Sequence, residues 1–133
     1  MKNILIIQGG GRPNGNTAQL VEHFARGAKE AGHTVEVISL RKQEVKGCMG
    51  CNACRYGKPC VQKDSFNELV PKIKDADCIV FASPLLFWTI SAQLKALIER
   101  FYCIAEEDPN PPLGRYENCL LYTSDAADDG ESV

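Results

Sequence analysis

The chain has 133 residues, 44% of them hydrophobic, enough for one domain with a real core and too few for two. A formal net charge of -2, with no lysine or arginine run longer than two residues, leaves no basic face for nucleic acid. The opening MKNILIIQGGG holds an apolar run of only four residues before glycines interrupt it, which suits neither a signal peptide nor a membrane span, so a cytoplasmic protein without a membrane partner is expected.

Asn3 to Gln8 reads as a buried strand, because a short apolar run ending in Gly9, Gly10 and Gly11 suits a parallel sheet covered on both faces. A helix should follow, with Asn16 as N-cap, Gln19 three residues on, and Leu20, Val21, Phe24 and Ala28 along one face until Gly32 ends it. His33 to Leu40 is expected as a strand with Val35, Val37 and Leu40 alternating around Ile38. A cysteine-rich loop comes next. Phe66, Leu69, Val70 and Ile73 then return at helical spacing, capped by Asp64 or Ser65, with Pro71 predicting a kink or an irregular helix. Asp77 to Ser83 is a third buried strand stopped by Pro84, and Ser91 caps a helix whose Leu94, Leu97, Ile98, Phe101 and Ile104 share a face. This alternation, with right-handed crossovers, predicts an open parallel sheet with helices on both sides.

Residues 105 to 117 form a proline-rich connection without periodicity. Residues 119 to 129, CLLYTSDAADD, resemble the read-through translation of a transposon-based sequencing adapter, which implies a native unit over 1–118, C-terminally truncated, and a non-native tail over 119–133. The alternative is a native fourth strand over Cys119 to Thr123 with an acidic tail. Without Asp125, Asp128, Asp129 and Glu131 the 17 acidic residues fall to 13 against 15 basic ones, a net charge of +2.

Gly9 to Thr17 (GGGRPNGNT) places glycines and small polar residues between a strand and a helix, an anion site in which backbone N–H groups converge on a phosphate. Asn14, Asn16 and Thr17 add side-chain donors and Arg12 adds charge. The dinucleotide fingerprint GxGxxG fails at Asn14, and GxxxxGK[ST] fails at Asn16, where a lysine is needed. A single terminal monophosphate such as that of FMN fits better. The bland reading is a glycine-rich turn that only joins strand to helix.

Seven cysteines in a reducing compartment argue for metal, cluster or thiol chemistry over a disulfide framework. Cys78, Cys103 and Cys119 are expected as small apolar filler. Cys48, Cys51, Cys54 and Cys60 are spaced as CxxCxxCxxxxxC, where consecutive CxxC steps suit a [4Fe-4S] cluster better than the separated knuckles of zinc. Free or reversibly oxidised thiols remain the non-metal reading. His23 and His33, on a helix face and at a strand start, read as structural.

GxxRxNGNT after the first strand, the cysteine motif after the second, Ser83-Pro84 after the third and KxxxER over Lys95 to Arg100 resemble the flavodoxin-like NAD(P)H-dependent FMN reductases, in their iron-sulfur flavoprotein branch. The resemblance covers residues 1 to 117. It implies a flavodoxin-like three-layer α/β/α sandwich, with the FMN phosphate on Gly9, Gly10, Arg12, Asn14, Gly15, Asn16 and Thr17. It implies that Ser83, Pro84, Leu85, Leu86, Phe87 and Trp88 run beside the ribityl chain and flavin ring, although a tyrosine is usual where Leu86 stands. Packing or an oligomer contact is the alternative for Phe87 and Trp88. Lys95 and Arg100 are assigned to ion pairing and surface solvation, and no side chain is assigned as a catalytic acid or base. The activity implied is hydride transfer from NAD(P)H to FMN and on to a small-molecule or redox-protein acceptor, in a homo-oligomer. A flavodoxin-like or iron-sulfur electron carrier without nicotinamide turnover is one alternative, and a metal-binding fold without flavin another.

Overall fold

The structure, a computed structural model, describes residues 1–54, 58–105 and 121–123. Strand β1 (Asn3–Gln8) leads into helix α1 (Asn16–Glu30), then β2 (Thr34–Ser39) and a single 3-10 turn over Leu40–Lys42. After the cysteine loop come α2 (Phe66–Asp75), β3 (Cys78–Ala82), α3 (Ala92–Arg100), the short α4 (Tyr102–Ala105) and β4 (Leu121–Thr123). The sheet order is β2-β1-β3-β4, all parallel, the flavodoxin-like doubly wound order in which the chain reverses direction between β1 and β3.

Strand alternation builds the layers. Leu5 and Ile7 of β1 join Ile79 and Phe81 of β3 against Phe66, Leu69 and Ile73 of α2 and Leu94 and Leu97 of α3. Ile6, Val80 and Ala82 point the other way, against Val21 and Ala25 of α1. Both faces of the central strands are therefore covered, which is why they read as unbroken apolar runs.

Several expectations change in detail. Gly15, not Asn16, is the N-cap of α1, and no side chain caps it. The stripe of α1 that meets the sheet is Thr17, Val21 and Ala25, whereas Leu20 and Phe24 remain 47% and 38% exposed. A helix lying flat on a sheet touches it along its narrow centre line, so flanking apolar residues a third of a turn away stay open. Leu40 leaves β2 for the 3-10 turn, and Val37 faces solvent. Helix α2 runs as one ten-residue segment with Pro71 inside it. Of its two expected caps, Ser65 holds the N-cap position without a side-chain bond to the helix, its Oγ accepting from the Glu44 amide, while Asp64 Oδ1 accepts from the Phe66 amide. Residues 106–120 and 124–133 lie outside the described residues, and with them most of the expected connection and tail. The short β4 falls within the expected fourth strand and pairs Leu121 to Thr123 with Val80 to Ala82.

Candidate functional site

Because every strand is parallel, the loops after β1, β2 and β3 all leave from the same edge of the sheet. The glycine loop after β1 and the loop after β3 touch there. Gly9 donates its amide to Ala82 O at 2.7 Å. A Cβ on Gly9 would stand 2.6 Å from Ser91 Oγ and 3.0 Å from Leu94 Cβ, so the close approach needs glycine. A Cβ on Gly10 would lie 3.8 Å from Pro84 Cδ and 3.5 Å from Thr17 Cβ, which places the two loops and the first turn of α1 side by side.

The first turn of α1 carries no acidic residue, so its positive dipole end is not neutralised. Around it Arg12, Asn14 and Asn16 are exposed, Gly15 is half-buried, and Thr17 is buried. A glycine loop leading into a helix N-terminus that carries no acidic residue matches the chemistry of a monophosphate ester. A separate cavity of about 560 Å³ runs along the outer flank of α1 beside Val37; of the predicted phosphate residues only Asn14 reaches it, so it is not the same site.

Ser83 is fully buried and its hydroxyl is committed: it donates to Pro84 O and accepts from the Ser91 amide, each at 2.8 Å. Ser91 Oγ in turn accepts from the Leu94 amide at 3.3 Å, capping α3. Beyond Pro84 and Leu85 the chain turns tightly, with Leu86 and Thr89 exchanging backbone hydrogen bonds of 2.8 and 3.2 Å. Phe87 and Trp88 form the tip at φ 47° and 70°, in the left-handed region that turns of this length usually give to asparagine and glycine. They are 94% and 85% exposed, so among the described residues neither side chain packs into the core.

The other end of α3 holds the cysteine loop. Cys48, Cys51, Cys54 and Cys60 line one small cavity of about 20 Å³, together with Cys103 of α4 and Arg100. Gly50 and Asn52 take positive φ between the first three cysteines, curling the backbone so that the Gly50 amide donates to Cys48 Sγ at 3.3 Å. The loop is pinned from outside by Tyr102, whose hydroxyl donates to Asn52 Oδ1, and by Asn67, whose amide donates to Cys60 O. Burial pushes the Cys54 thiol up, and the neighbouring thiols of Cys60, Cys48 and Cys51 add to that rise. Among the described residues, no three His, Cys, Asp or Glu side chains stand close enough together to form a finished metal site.

Arg100 corrects the sequence reading. It is ion-paired, as expected, but it is 1% exposed and therefore does no surface solvation. Nη1 lies 2.6 Å from Asp64 Oδ2 and 2.9 Å from Lys46 O, and Nη2 lies 3.1 Å from Asp64 Oδ1 and 3.2 Å from Cys60 Sγ. Phe66 covers one face of the guanidinium, 4.7 Å from ring centroid to Cζ. Burial works against the Asp64 carboxylate, but the Arg100 hydrogen bonds, the Lys46 and Phe66 amides and the Arg100 charge outweigh it and hold its pKa below the ordinary value. Lys95 behaves as predicted, exposed and 3.9 Å from Glu99. The signal for Arg100 was present in its position, three residues after Leu97 and six after Leu94, on the buried stripe of α3.

Helix α3 thus joins the two regions. Ser91 at its start abuts Gly9, and Arg100 at its end grips Cys60, about 14 Å along the axis at 1.5 Å per residue.

A doubly wound parallel sheet with a glycine-rich loop at its switch point defines a flavodoxin-like fold. The chain belongs to the NADPH-dependent FMN reductase family, whose model matches residues 2–116. It is 40% identical over 97 residues to an iron-sulfur flavoprotein of Methanocaldococcus jannaschii, covering 73% of this chain and 50% of that protein. An iron-sulfur flavoprotein of Archaeoglobus fulgidus is 41% identical over 91 residues, covering 68% of this chain and 45% of the relative. Among solved structures, a flavone reductase superposes with a TM-score of 0.58 at 29% identity over 74% of this chain and 29% of that one. An NAD(P)H:quinone oxidoreductase from Methanothermobacter marburgensis superposes with a TM-score of 0.64 at 24% identity, a likeness of fold, over 74% of this chain and 52% of that one. The chain spans about half the length of the curated relatives it matches. Among the described residues no helix is long and apolar enough to cross a membrane.

Proposed function

We propose that the protein is a flavin-dependent oxidoreductase that holds FMN at the β1/β3 switch point. The observation that supports the reading is the contact of the glycine loop with the loop after β3, which brings glycine-rich backbone at a helix N-terminus and an exposed aromatic turn to one edge of the sheet. Gly9, Gly10, Gly15, Asn16 and Thr17 present the backbone and helix terminus to the phosphate, with Arg12 and Asn14 beside them. Ser83 acts by position, locking Pro84 and the start of α3, while Pro84 to Trp88 line the flavin. Bound FMN supplies the chemistry, accepting hydride from NAD(P)H and passing electrons to a small-molecule or one-electron protein acceptor.

The four motif cysteines would hold a [4Fe-4S] cluster. What supports this is the donor set: four thiols around one cavity, a backbone amide already donating to a sulfur, and names shared by the two relatives above. The cavity measures about 20 Å³, and it is the chemistry of the four thiols lining it that fits the group. The exposed Phe87 and Trp88 would meet a second copy of the chain in a cytoplasmic homo-oligomer. Residues 1–118 would be the FMN-binding unit and 119–133 a tail; the pairing of Leu121 to Thr123 suits either origin, since a short apolar segment adds readily to an open sheet edge.

Fluorescence titration with FMN tests the reading. Saturable one-to-one quenching is expected, weakened about tenfold or more in Asn14→Asp, an exposed position where a carboxylate would repel the phosphate. A folded protein that ignores FMN would sink it. A protein that binds FMN yet oxidises neither NADH nor NADPH unaided would be the electron carrier instead.

A further inference from the structure

Arg100 is a buried cation with one donor left over. The forward edge of the guanidinium is occupied by both oxygens of Asp64, and the outer proton of Nη1 by Lys46 O. The remaining edge of a planar guanidinium carries the outer proton of Nη2 together with Nε–H, side by side and parallel. Nη2 spends its proton on Cys60 Sγ, while Nε is buried and, among the described residues, has no hydrogen-bond partner. A buried donor left unmet calls for an explanation. The edge that carries it is the one turned to Cys60, in the cavity that four motif thiols and Cys103 line.

We propose that the Nη2/Nε edge of Arg100 is a two-pronged donor to the sulfur centre of the cysteine loop: Nη2 to Cys60 Sγ and Nε to an inorganic sulfide or second thiolate of the bound cluster. This rests on the cluster reading above. The fork needs both nitrogens in one plane, which arginine supplies and lysine does not. Asp64, Lys46 O and the Phe66 ring keep that plane from turning, so Arg100 is a positioning residue for Cys60 and an electrostatic partner for the centre. Hydrogen bonds and positive charge at cluster sulfurs favour the reduced form, so the edge raises the cluster potential.

The test begins with the full chain reconstituted anaerobically with iron and sulfide. Wild-type protein without iron or sulfide overturns the cluster reading and this proposal together. With the cluster loaded, the proposal has its own readouts. Pulsed EPR on the reduced cluster, in protein labelled with 15N-arginine and carrying Arg55→Lys to remove the arginine inside the motif, should show 15N hyperfine coupling. Arg100→Lys should keep its iron and shift the midpoint potential to more negative values. Loss of the fold in Arg100→Lys would leave the labelled protein to decide. A loaded cluster with no 15N coupling, or a folded Arg100→Lys with unchanged potential and spectrum, would overturn the proposal and leave Arg100 as a structural ion pair.

Discussion

Asp64→Asn removes one charge from a pair whose two side chains are each 1% exposed, with almost no change of shape. The carboxylate accepts four hydrogen bonds: Arg100 Nη1 and the Lys46 amide on Oδ2, Arg100 Nη2 and the Phe66 amide on Oδ1. An asparagine must turn its NH2 toward one of these donor pairs, so two bonds are lost and Arg100 stays buried without its counter-charge. Two bonds to a charged group at about 1.5–3 kcal/mol each suggest a loss of about 3–6 kcal/mol. Breaking one side of a buried ion pair independently suggests about 3–5 kcal/mol. With a urea slope near 2 kcal/mol/M, the midpoint of unfolding should fall by about 2 M. Urea titration followed by far-UV circular dichroism reads this directly, and an unchanged slope confirms that both proteins unfold in the same way. A midpoint within about 0.3 M of wild type would refute the reasoning, because at that slope it means the pair contributes well under 1 kcal/mol, as exposed pairs do. The companion variant Asp64→Leu with Arg100→Met should recover most of the loss, since apolar replacement of a whole buried pair is often close to neutral.

The same pair sets an acid dependence. The folded-state pKa of Asp64 is lowered, so its contribution is complete above the unfolded carboxylate value of about 3.9 and is lost as pH falls through the lowered folded value. The stability gap between wild type and Asp64→Asn should therefore be level from pH 5 to 8 and close below about pH 4; a gap that widens in acid would contradict this. In the FMN-free monomer, at a concentration too low for self-association, Trp88→Gly should raise stability by about 1 kcal/mol, because left-handed backbone costs a bulky residue about that much and the indole is 85% exposed there. A fall in thermal midpoint on this change would show that Trp88 is held by contacts. Gly9→Ala should cost about 1–3 kcal/mol through the clash with Ser91 Oγ and Leu94, and a neutral result by chemical denaturation would mean that the loops do not meet as closely as 2.6 Å.

Much of the architecture is legible in the chain. NILIIQ and CIVFA are apolar without alternation because helices cover both faces, and each is followed by residues that weaken or break a strand, the glycines from Gly9 and Pro84. Ser91 was readable as a cap because a hydroxyl three residues before an apolar helical position has a defined acceptor role. The contact line of α1 was not readable, since Leu20 and Phe24 are as apolar as Val21 and only the helix's rotation about its axis distinguishes them. Asp64 was visible as a candidate cap for α2, and it does accept from Phe66, but its larger role depends on a partner 36 residues away.

By itself, the sequence determined the strand and helix order, the glycine loop and the spacing of four thiols, because these depend on neighbours within a few positions. Only the tertiary structure decided that Ser83 is spent inside the fold, that Phe87 and Trp88 stand clear of it, and that Arg100 is buried. A charged side chain normally seeks water; here the Lys46 carbonyl from one stretch of chain and the Cys60 sulfur, Asp64 and the Phe66 ring from a second converge on α3 to replace it. No local pattern encodes such a convergence.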